Sequence, residues 1–446
     1  MLYYSERSHA KGAHNAKAMV KEQISLLYVP RDTQQPLIEE DWDYASADTK
    51  THTHGFHAYP AMMIPQVARR LIGMYGQRGQ TLLDPFCGSG TSLVEARLAG
   101  LNGYGIDINP LAVLLARAKT TDIPESVLQG ALLEIIDAYQ LRRQNGTVQV
   151  PQFFNMDYWF SPEVQLQLAC LREVIFAILD QAVRQFMLVA FSHTVRECSY
   201  TRKGEFKLYR LPESQIRDFR PDVLGTFIAK VEKNIAGMAE FNAQVDHRTH
   251  VQVFQSDTRL RQPIPDASVD LVVTSPPYGD SQTTVAYGQF SRLSLQWLGL
   301  PCEEAKSVDR RALGGKLQDK AQTSLYRSQS LEATVEQISQ RDTRRARQVK
   351  AFYDDFAQCF VEITRVCRAG AKACFVVGNR TVRGIRVPTD TILREIAEGF
   401  GWRFVEQFER RIPNKRMPLQ NSPSNVPGER GETITREHIV VLEKSQ

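Results

Sequence analysis

The sequence lacks the features of a secreted or membrane-spanning protein. No apolar run approaches the roughly 20 residues that a membrane-spanning helix needs, and the polar start MLYYSERSHAKGAH has no apolar signal core. The seven cysteines are odd in number, scattered and without a CxxC pair, which argues against a disulfide framework or a structural zinc site. We therefore expect a protein of the reducing cytoplasm that makes no membrane contact.

An excess of charge of one sign is also missing. The 55 basic and 50 acidic residues leave a net charge of +5, which is weak support for an anionic partner. Internal repeats and low-complexity tracts are absent, and the hydrophobic fraction of 42% is ordinary for a globular protein. A chain of 446 residues can bury one large core or two moderate ones.

The phosphate-binding glycine motifs are missing, although one glycine turn stands out. A short apolar run ends at Asp84, and a turn with Gly88 and Gly90 leads into a predicted helix over 92–99. This turn has neither the GxGxxG spacing nor the Gly-Lys-Ser/Thr of a P-loop. Because Asp84 adds a negative charge beside glycines that let backbone approach a ligand, the turn favours a cationic or hydroxyl-bearing ligand over a phosphate.

Two further predicted strands also end in an acidic residue. Residues 103–108 place Asp107 about 20 residues past the glycine turn, where a carboxylate can accept hydrogen bonds from ribose hydroxyls. Residues 251–257 end in Asp257. A ribose-bearing ligand without phosphates fits S-adenosylmethionine better than a dinucleotide, while an ordinary βαβ unit with acidic strand ends is the alternative.

A fourth predicted strand, residues 269–273, stops at Ser275, Pro276, Pro277 and Tyr278. Proline cannot donate to a sheet ladder, so the strand must end there. The sequence therefore predicts a hydroxyl, two rigid carbonyls and an aromatic ring at the carboxyl edge of a sheet, where open α/β sheets bind ligands.

Helical spacing elsewhere predicts an alternating α/β protein. Helices are expected at 17–28, in the stretch up to residue 75, and at 111–119, 125–141, 222–242, 285–300, 351–367 and 389–400, with two more within 164–196. Gly370 is expected to end the helix before it, and further strands are predicted at 373–377, 403–410 and 438–442. His52, His54 and His57 lie close together, but no further His or Cys cluster completes a metal site, so we predict none.

Taken together, these motifs resemble those of the S-adenosylmethionine-dependent DNA amino-methyltransferases, which methylate cytosine N4 or adenine N6. Residues 84–91 resemble the cofactor motif of that family, 275–278 its catalytic motif, and 57–61 the segment that packs on the methionine part of the cofactor. The resemblance covers about 54–120 and 251–442, with the long inserts unmatched.

The resemblance implies a Rossmann-like class I methyltransferase sheet with helices on both faces and a mostly helical inserted target-recognition region. The expected organisation is an N-terminal appendage (1–53), a cofactor-binding half (54–120), an insert for target recognition (121–245), a catalytic half (246–300), a charged insert (301–350) and the remainder of the sheet (351–446).

The resemblance also implies roles for individual residues. Gly88 and Gly90 would approach the methionine moiety, Asp107 the ribose and Asp257 the adenine amino group. The full cofactor set is Tyr59, Pro60, Asp84, Pro85, Phe86, Cys87, Gly88, Ser89, Gly90, Thr91, Asp107, Ile108 and Asp257. The catalytic set is Ser275, Pro276, Pro277 and Tyr278, in which Ser275 and the Pro276 carbonyl would accept hydrogens from the target amine and Tyr278 would stack on a flipped base.

Serine at the first position of the catalytic motif favours cytosine N4 as the target, because family members with aspartate there more often resemble adenine N6 enzymes. A C5-cytosine enzyme would need a Pro-Cys nucleophile after a strand. Pro301-Cys302 instead follows a helical stretch inside the charged insert, which disfavours that chemistry.

Two basic segments are candidates for contacts with double-stranded DNA. Residues 199–210 interleave aromatic rings with Arg202, Lys203, Lys207 and Arg210, a composition that suits phosphate contacts and stacking, although a solvated hairpin fits it too. Lys415 and Arg416 lie in a long polar loop over 411–435. The cofactor motif precedes the catalytic motif, whereas many relatives have the reverse order, so target recognition could reside in 121–245 or 301–350; we favour the first because it is larger.

Two other functions fit parts of the sequence. An RNA base methyltransferase can carry similar motifs, but such enzymes usually have a separate N-terminal RNA-binding domain, for which about 50 residues are too few. A non-catalytic DNA-binding subunit of a restriction system is the other, and the intact Asp84, Asp107 and 275–278 set argues against it. For a DNA methyltransferase, a cognate restriction endonuclease is a possible partner.

Overall fold

The computed structural model describes residues 41–145, 148–280, 285–315, 325–413, 420–421, 431–432 and 434–446. The predicted helix at 17–28 and the basic pair Lys415 and Arg416 lie outside these residues.

Fourteen helices and eleven strands are named here from the described residues. The helices, which follow a 3-10 turn at His52–Phe56, are α1 (Pro65–Tyr75), α2 (Thr91–Leu98), α3 (Pro110–Thr120), α4 (Glu125–Asn145), α5 (Met156–Trp159), α6 (Pro162–Phe176), α7 (Gln181–Glu197), α8 (Glu213–Ile216), α9 (Val223–Asn242), α10 (Tyr287–Trp297), α11 (Cys302–Arg311), α12 (Gln329–Ser339), α13 (Thr343–Val366) and α14 (Thr389–Gly399). The strands are β1 (Thr81–Asp84), β2 (Asn102–Asp107), β3 (Val251–Gln255), β4 (Val269–Thr274), β5 (Cys367–Val377), β6 (Arg380–Val382), β7 (Ile385–Val387), β8 (Trp402–Arg411), β9 (Gln420–Asn421), β10 (Gly431–Glu432) and β11 (Arg436–Lys444).

Seven of the strands form one sheet in the order β3-β2-β1-β4-β5-β11-β8. Strands β1 to β5 pair in parallel, whereas β11 runs antiparallel to both of its neighbours, β5 and β8. The carboxyl ends of β1 to β5 and of β8 therefore share one edge of the sheet with the amino end of β11.

The strands in the middle of the sheet are buried on both faces. Every residue of β4 is buried, as its β-branched, apolar sequence predicts for a strand covered by helices on two sides. Alternate side chains join different cores: Val272 packs with α12, α13 and α14, whereas Leu271 and Val273 pack with α1 and α2. The sheet thus has helices on both faces, as predicted.

A third core lies in the helical insert. Buried residues of α4, α6, α7 and α9 pack together with α3 and α10, so the insert shares its core with the helix that follows the catalytic motif. The predicted break within 164–196 is confirmed: α6 ends at Phe176, and Asp180 caps α7 by accepting a hydrogen bond from the Val183 amide at 3.0 Å.

Two boundary predictions near α13 need correction. Gly370 does not end the helix, which stops at Val366; it lies within β5 with φ of 76°, close to an irregularity in the register with β4. The helix predicted at 351–367 begins earlier, at Thr343, with Asp342 capping the Arg345 amide at 3.0 Å. The helix α13 therefore has a charged face toward solvent and an apolar face toward the core.

The described end of the expected N-terminal appendage packs on the sheet. Trp42 is buried, its ring centroid lies 4.8 Å from that of Phe408 on β8, and the Arg70 guanidinium lies 4.1 Å from the Trp42 centroid. In the described part of the chain, no helix has the length and apolar character needed to cross a membrane.

The core of the helical insert gives a test of the packing. Trp297 is fully buried with its ring edge-on to Phe153, Phe160 and Phe191, so Trp297→Ala should lower the free energy of unfolding by about 3–5 kcal/mol through lost contacts and a cavity. The matched control is Leu179→Ala, since Leu179 is 94% exposed and its truncation should change stability by less than about 0.5 kcal/mol. Urea unfolding followed by circular dichroism measures both, and equal losses would contradict this packing.

Candidate active site

A cleft with about 950 Å³ of open space lies at the carboxyl edge of the sheet. The predicted residues that line it are Tyr59, Pro60, Asp84, Pro85, Phe86, Cys87, Gly88, Ser89, Thr91, Asp107, Ile108, Asp257, Ser275 and Pro277. Gly90, Pro276 and Tyr278, although predicted as site residues, do not line it. The structure therefore brings nearly all of the predicted cofactor residues to one cavity, together with the first residue of the catalytic motif.

Sequence reasoning missed a second group of lining residues. They are Met62, Met63, Asn109, Ser256, Thr258, Tyr287, Val308, Asp309, Arg311, Ala312 and Leu313, while Ala61 belongs to the predicted 57–61 segment and also lines the cleft. Several are direct neighbours of predicted residues, so the adjacent motifs could have indicated them. The end of α11 and the residues after it gave no such signal, because their charged pattern is that of a surface helix.

The two glycines of the turn serve different purposes. Both have positive φ, 49° at Gly88 and 85° at Gly90, which favours glycine. A Cβ on Gly90 would lie 2.9 Å from the Ala116 Cα, so Gly90 allows α3 to approach the turn. At Gly88 the nearest atom to such a Cβ would be 3.7 Å away on the Tyr59 ring, and this glycine faces the cleft.

The Asp84 carboxylate ties three elements together at the floor of the cleft. One oxygen accepts hydrogen bonds from the Phe86 amide at 3.1 Å and from the Thr274 hydroxyl at 2.7 Å, and the other accepts from the Ser92 hydroxyl on α2. Burial raises the pKa of Asp84 to about 6, although these three donors oppose the shift. Much of the acceptor capacity that the sequence suggested for a ligand is thus used within the protein.

Asp107 keeps capacity for a ligand. Its carboxylate oxygens accept from the Gly88 amide at 3.0 Å and the Asn109 amide at 2.7 Å, which leaves further lone pairs on both oxygens. Burial raises the pKa of Asp107 to about 6, and the nearby Asp84 adds a smaller upward contribution. A partly open carboxylate at the end of β2 fits the ribose hydroxyls of a nucleoside cofactor.

An aromatic wall stands beside Asp107. The rings of Tyr59 and Tyr287 are stacked with centroids 5.9 Å apart and an interplanar angle of 26°. The Asn109 amide group donates to the Tyr59 hydroxyl at 2.9 Å and to Ser291 at 2.8 Å, which fixes the first ring against α10. Flat apolar surface next to carboxylate acceptors suits an adenosine with a cationic sulfonium, so the residues fit S-adenosylmethionine.

Asp257 is held by an arginine that also anchors α11. Arg259 forms ion pairs with Asp257 at 2.6 Å and with Asp355 on α13 at 2.8 Å. The same guanidinium donates to the carbonyl of Arg311, the last residue of α11, at 2.8 Å. Asp309 accepts from the amides of Gly288 and Gln289 at the start of α10, and so α11 closes one side of the cleft.

The catalytic motif divides between the cleft and the protein interior. Ser275 and Pro277 line the cleft, whereas Pro276 is buried. The Tyr278 hydroxyl lies 3.1 Å from the Ser275 hydroxyl and donates to the Glu437 carboxylate at 2.8 Å. Burial raises the pKa of Tyr278 well above its usual value.

Two of the three clustered histidines have protein partners for a ring nitrogen. The His54 ring lies 2.9 Å from the Glu95 carboxylate, and the His57 ring lies 3.1 Å from the Ser192 hydroxyl. Burial lowers the pKa of both rings. Within the described ranges, no three His, Cys, Asp or Glu side chains are grouped so that they could hold a metal ion.

The four described residues that were predicted to contact DNA do not line the cleft; they are Arg202, Lys203, Lys207 and Arg210. Lys203 pairs with Glu197 at 2.7 Å, Arg210 pairs with Glu213, and the Arg202 guanidinium lies 5.9 Å from the Tyr209 ring centroid. Lys207 is exposed and forms no ion pair with any residue that the structure describes. A bridge between Thr201 and Arg210 makes this segment a short hairpin-like loop.

Comparison with known proteins shows which families this chain is similar to. A family model described as DNA methylase, for N6 and N4 methyltransferases, matches residues 3–117, which extends into the appendage. The chain is 38% identical over 423 residues to the type II methyltransferase M.MvaI of Kocuria varians, covering 90% of this chain and 92% of that protein. It is 22% identical over 460 residues to the type II methyltransferase M.BsoBI of Geobacillus stearothermophilus, covering 89% and 87%. A match to the tRNA (guanine(10)-N2)-dimethyltransferase of Methanothermobacter thermautotrophicus is 44% identical but spans 52 residues, 11% of this chain and 16% of that protein.

The raised pKa of Asp107 gives a testable pH dependence. Hydroxyl donors and a nearby sulfonium charge would lower this pKa from about 6 when S-adenosylmethionine binds. A group whose pKa falls on binding releases a proton, so affinity should rise between about pH 5 and 7 and level off above. Titration calorimetry in two buffers with different ionisation enthalpies measures the affinity and the proton released.

Two controls separate the causes of this dependence. Asp107→Asn should remove the proton release, because the amide does not titrate. S-adenosylhomocysteine has the same ribose without the positive charge, so it isolates the contribution of the hydroxyls. An affinity for S-adenosylmethionine that is independent of pH, with no proton release, would contradict the assignment of Asp107 to the ribose.

Proposed function

This chain belongs to the type II DNA methyltransferases of the N6/N4 DNA methylase family, and we propose that it methylates the N4 amine of cytosine in double-stranded DNA. DNA methyltransferases of this family use S-adenosylmethionine as methyl donor. The observation that carries the choice of base is Ser275, the first residue of the catalytic motif, which lines the cleft at the end of β4.

The chemistry of the amine explains why this position matters. The lone pair of an exocyclic base amine is delocalised into the ring, so the nitrogen is a poor nucleophile. We infer that Ser275 and the Pro276 carbonyl accept hydrogen bonds from the two N–H groups, which favours a pyramidal nitrogen and stabilises the positive charge that develops on it. The cofactor, when bound, supplies a methyl group on a sulfonium, which an amine can attack directly without a covalent enzyme intermediate.

The cleft walls would hold the two reactants in line. Gly88 lets backbone approach the cofactor, Asp107 binds its ribose, and the Tyr59–Tyr287 wall packs beside it. A target base must leave the duplex to reach the sheet edge, so base flipping is part of this proposal. Tyr278, whose ring is half-buried next to Ser275 and Pro277, stays our proposed platform for that base.

The region that recognises DNA, the cellular location and the partner are also proposals. We assign target recognition to the helical insert 121–245, whose core is shared with α10, the helix that follows the catalytic motif in the chain. The enzyme would act on DNA in the cytoplasm of a prokaryotic cell, beside a cognate restriction endonuclease. Adenine N6 is the second candidate target. The short extent of the tRNA methyltransferase match disfavours RNA, and a cleft lined by Asp84, Asp107 and Ser275 disfavours a non-catalytic subunit.

The identity of the methylated base can be measured directly. The enzyme is incubated with methyl-labelled S-adenosylmethionine and either amplified, methyl-free genomic DNA or unmodified tRNA, and the nucleosides are identified by mass spectrometry. We expect label in N4-methylcytosine from DNA alone. Label in N6-methyladenine alone would replace the base assignment, and label in tRNA alone would overturn the choice of DNA.

The two candidate recognition regions differ in a measurable way. Lys207, in the 121–245 insert, is exposed and unpaired within the described residues, so Lys207→Ala should weaken DNA binding and reduce the slope of log affinity against log salt by about 1. The matched control is Arg347→Ala, an exposed basic residue of the rival segment 301–350. If the slope falls for Arg347→Ala and stays unchanged for Lys207→Ala, DNA contact would be assigned to the rival segment.

A further inference from the structure

We propose that Glu437 and Arg410 are positioning residues that fix the Ser275 hydroxyl as a hydrogen-bond acceptor, acting through the Tyr278 hydroxyl. The inference rests on the proposed transfer to an exocyclic amine, because only an N–H target needs an acceptor at Ser275. The four side chains are called the relay below.

Strand direction brings the relay to the cleft. β11 runs antiparallel to its neighbours, so its second residue, Glu437, lies at the edge where β4 ends. Glu437 is paired in register with Arg410, which lies near the carboxyl end of β8. Two strands that are remote from the catalytic motif in sequence therefore place the Glu437 carboxylate beside Tyr278 and the Arg410 guanidinium beside Glu437.

Arg410 holds the Glu437 carboxylate in place. A guanidinium has only donors, and Arg410, 6% exposed, gives them to one Glu437 oxygen, to the Trp42 carbonyl at 3.0 Å and to the Asp43 carbonyl at 3.4 Å. A carboxylate has no hydrogen to donate, so Glu437 acts only as an acceptor toward both of its partners. Its other oxygen accepts from the Tyr278 hydroxyl at 2.8 Å.

The direction of the remaining hydrogen bond follows from a count of hydrogens. The Tyr278 hydroxyl has a single hydrogen, and the Glu437 carboxylate takes it. The contact of 3.1 Å between the hydroxyls of Tyr278 and Ser275 must then have Ser275 as the donor. The Ser275 hydrogen is thereby turned away from the cleft, and the lone pairs of its oxygen remain for an incoming N–H group.

The opposite direction would obstruct the reaction. If the Ser275 hydrogen pointed into the cleft, it would oppose the N–H of the amine and could hydrogen-bond only to a nitrogen lone pair. That arrangement would hold back the lone pair that attacks the methyl group. The relay thus selects the one hydroxyl orientation that stabilises positive charge on nitrogen.

The backbone of β5 helps to keep the Tyr278 ring in place. A Cβ on Gly378, the residue directly after β5, would lie 2.8 Å from the Cδ2 atom and 3.0 Å from the Cε2 atom of Tyr278. The ring therefore lies close against a position where any larger residue would collide with it. This close contact and the bond to Glu437 define where the tyrosine hydroxyl lies.

Two nearly isosteric substitutions test the relay. Tyr278→Phe keeps the ring and removes the acceptor for the Ser275 hydrogen, so the single-turnover rate of methyl transfer should fall about tenfold or more, with unchanged affinity for S-adenosylmethionine and DNA. In Glu437→Gln, Arg410 should take the amide oxygen, so the amide NH₂ faces Tyr278. Tyr278 must then donate to Ser275, which turns the serine hydrogen into the cleft, and the rate should fall at least as far.

A double-mutant comparison separates positioning from general structure. Ser275→Ala should itself lower the rate by about 100- to 1,000-fold, and neither Tyr278→Phe nor Glu437→Gln should lower it further in that background, because both act through the Ser275 hydroxyl. The matched controls are Tyr75→Phe and Glu406→Gln, a tyrosine and glutamate joined by a hydrogen bond of the same 2.8 Å length away from the cleft lining. These controls should keep the wild-type rate.

The outcomes distinguish the relay from the reaction it serves. Rates are measured with labelled cofactor on amplified, methyl-free genomic DNA. A wild-type rate for Glu437→Gln, or losses that multiply with that of Ser275→Ala, would overturn the relay while leaving DNA methylation intact. Absence of transfer to DNA by the wild-type enzyme would overturn the proposed function and the relay with it.

Discussion

The direction of one strand determines which groups meet at the active site of this methyltransferase. Because β1 to β5 are parallel, Asp84, Asp107 and Ser275 share the carboxyl edge of the sheet without any contribution from chain proximity. β11 is antiparallel, so its first residues reach the same edge and place Glu437 beside Tyr278. At roughly 3.3 Å per residue, reversing the nine-residue β11 would move Glu437 by six residues, about 20 Å, toward the opposite edge.

The two aspartates at this edge have different roles, because one stabilises the structure and the other is open to a ligand. Asp84 is enclosed by donors from Phe86, Ser92 and Thr274, and its main effect is to hold the glycine turn against β4. Asp107 receives two backbone amides and keeps lone pairs for a ligand. Burial raises the pKa of both carboxylates, so the site keeps its negative charge near neutral pH but sits close to the range where it begins to be lost.

The sequence predicted those parts of the site that depend on local chain signals. Acidic strand ends, the glycine turn and the proline stop after β4 are each written within a few residues, and the structure brings Asp84, Asp107 and Ser275 to one cleft. The features that the sequence did not predict depend on contacts between distant segments. Gly370 resembles a helix stop but lies in β5, and the cleft-lining end of α11 has the charged pattern of an exposed helix. Nothing local marks Glu437 or Arg410, because their partnership arises only when β8 and β11 pair.

The hydrogen bond between Thr274 and Asp84 bears on how such enzymes can diverge. It joins residues that are 190 positions apart, and it lies directly beside Ser275. The two motifs are thus neighbours through sheet pairing between β1 and β4 and not through chain connectivity. A gene rearrangement that reversed the order of the two motifs along the chain could preserve this hydrogen bond, provided that the strands kept their places in the sheet. The order of motifs along a chain is then a record of its genetic history, on which the chemistry of the cleft places little constraint.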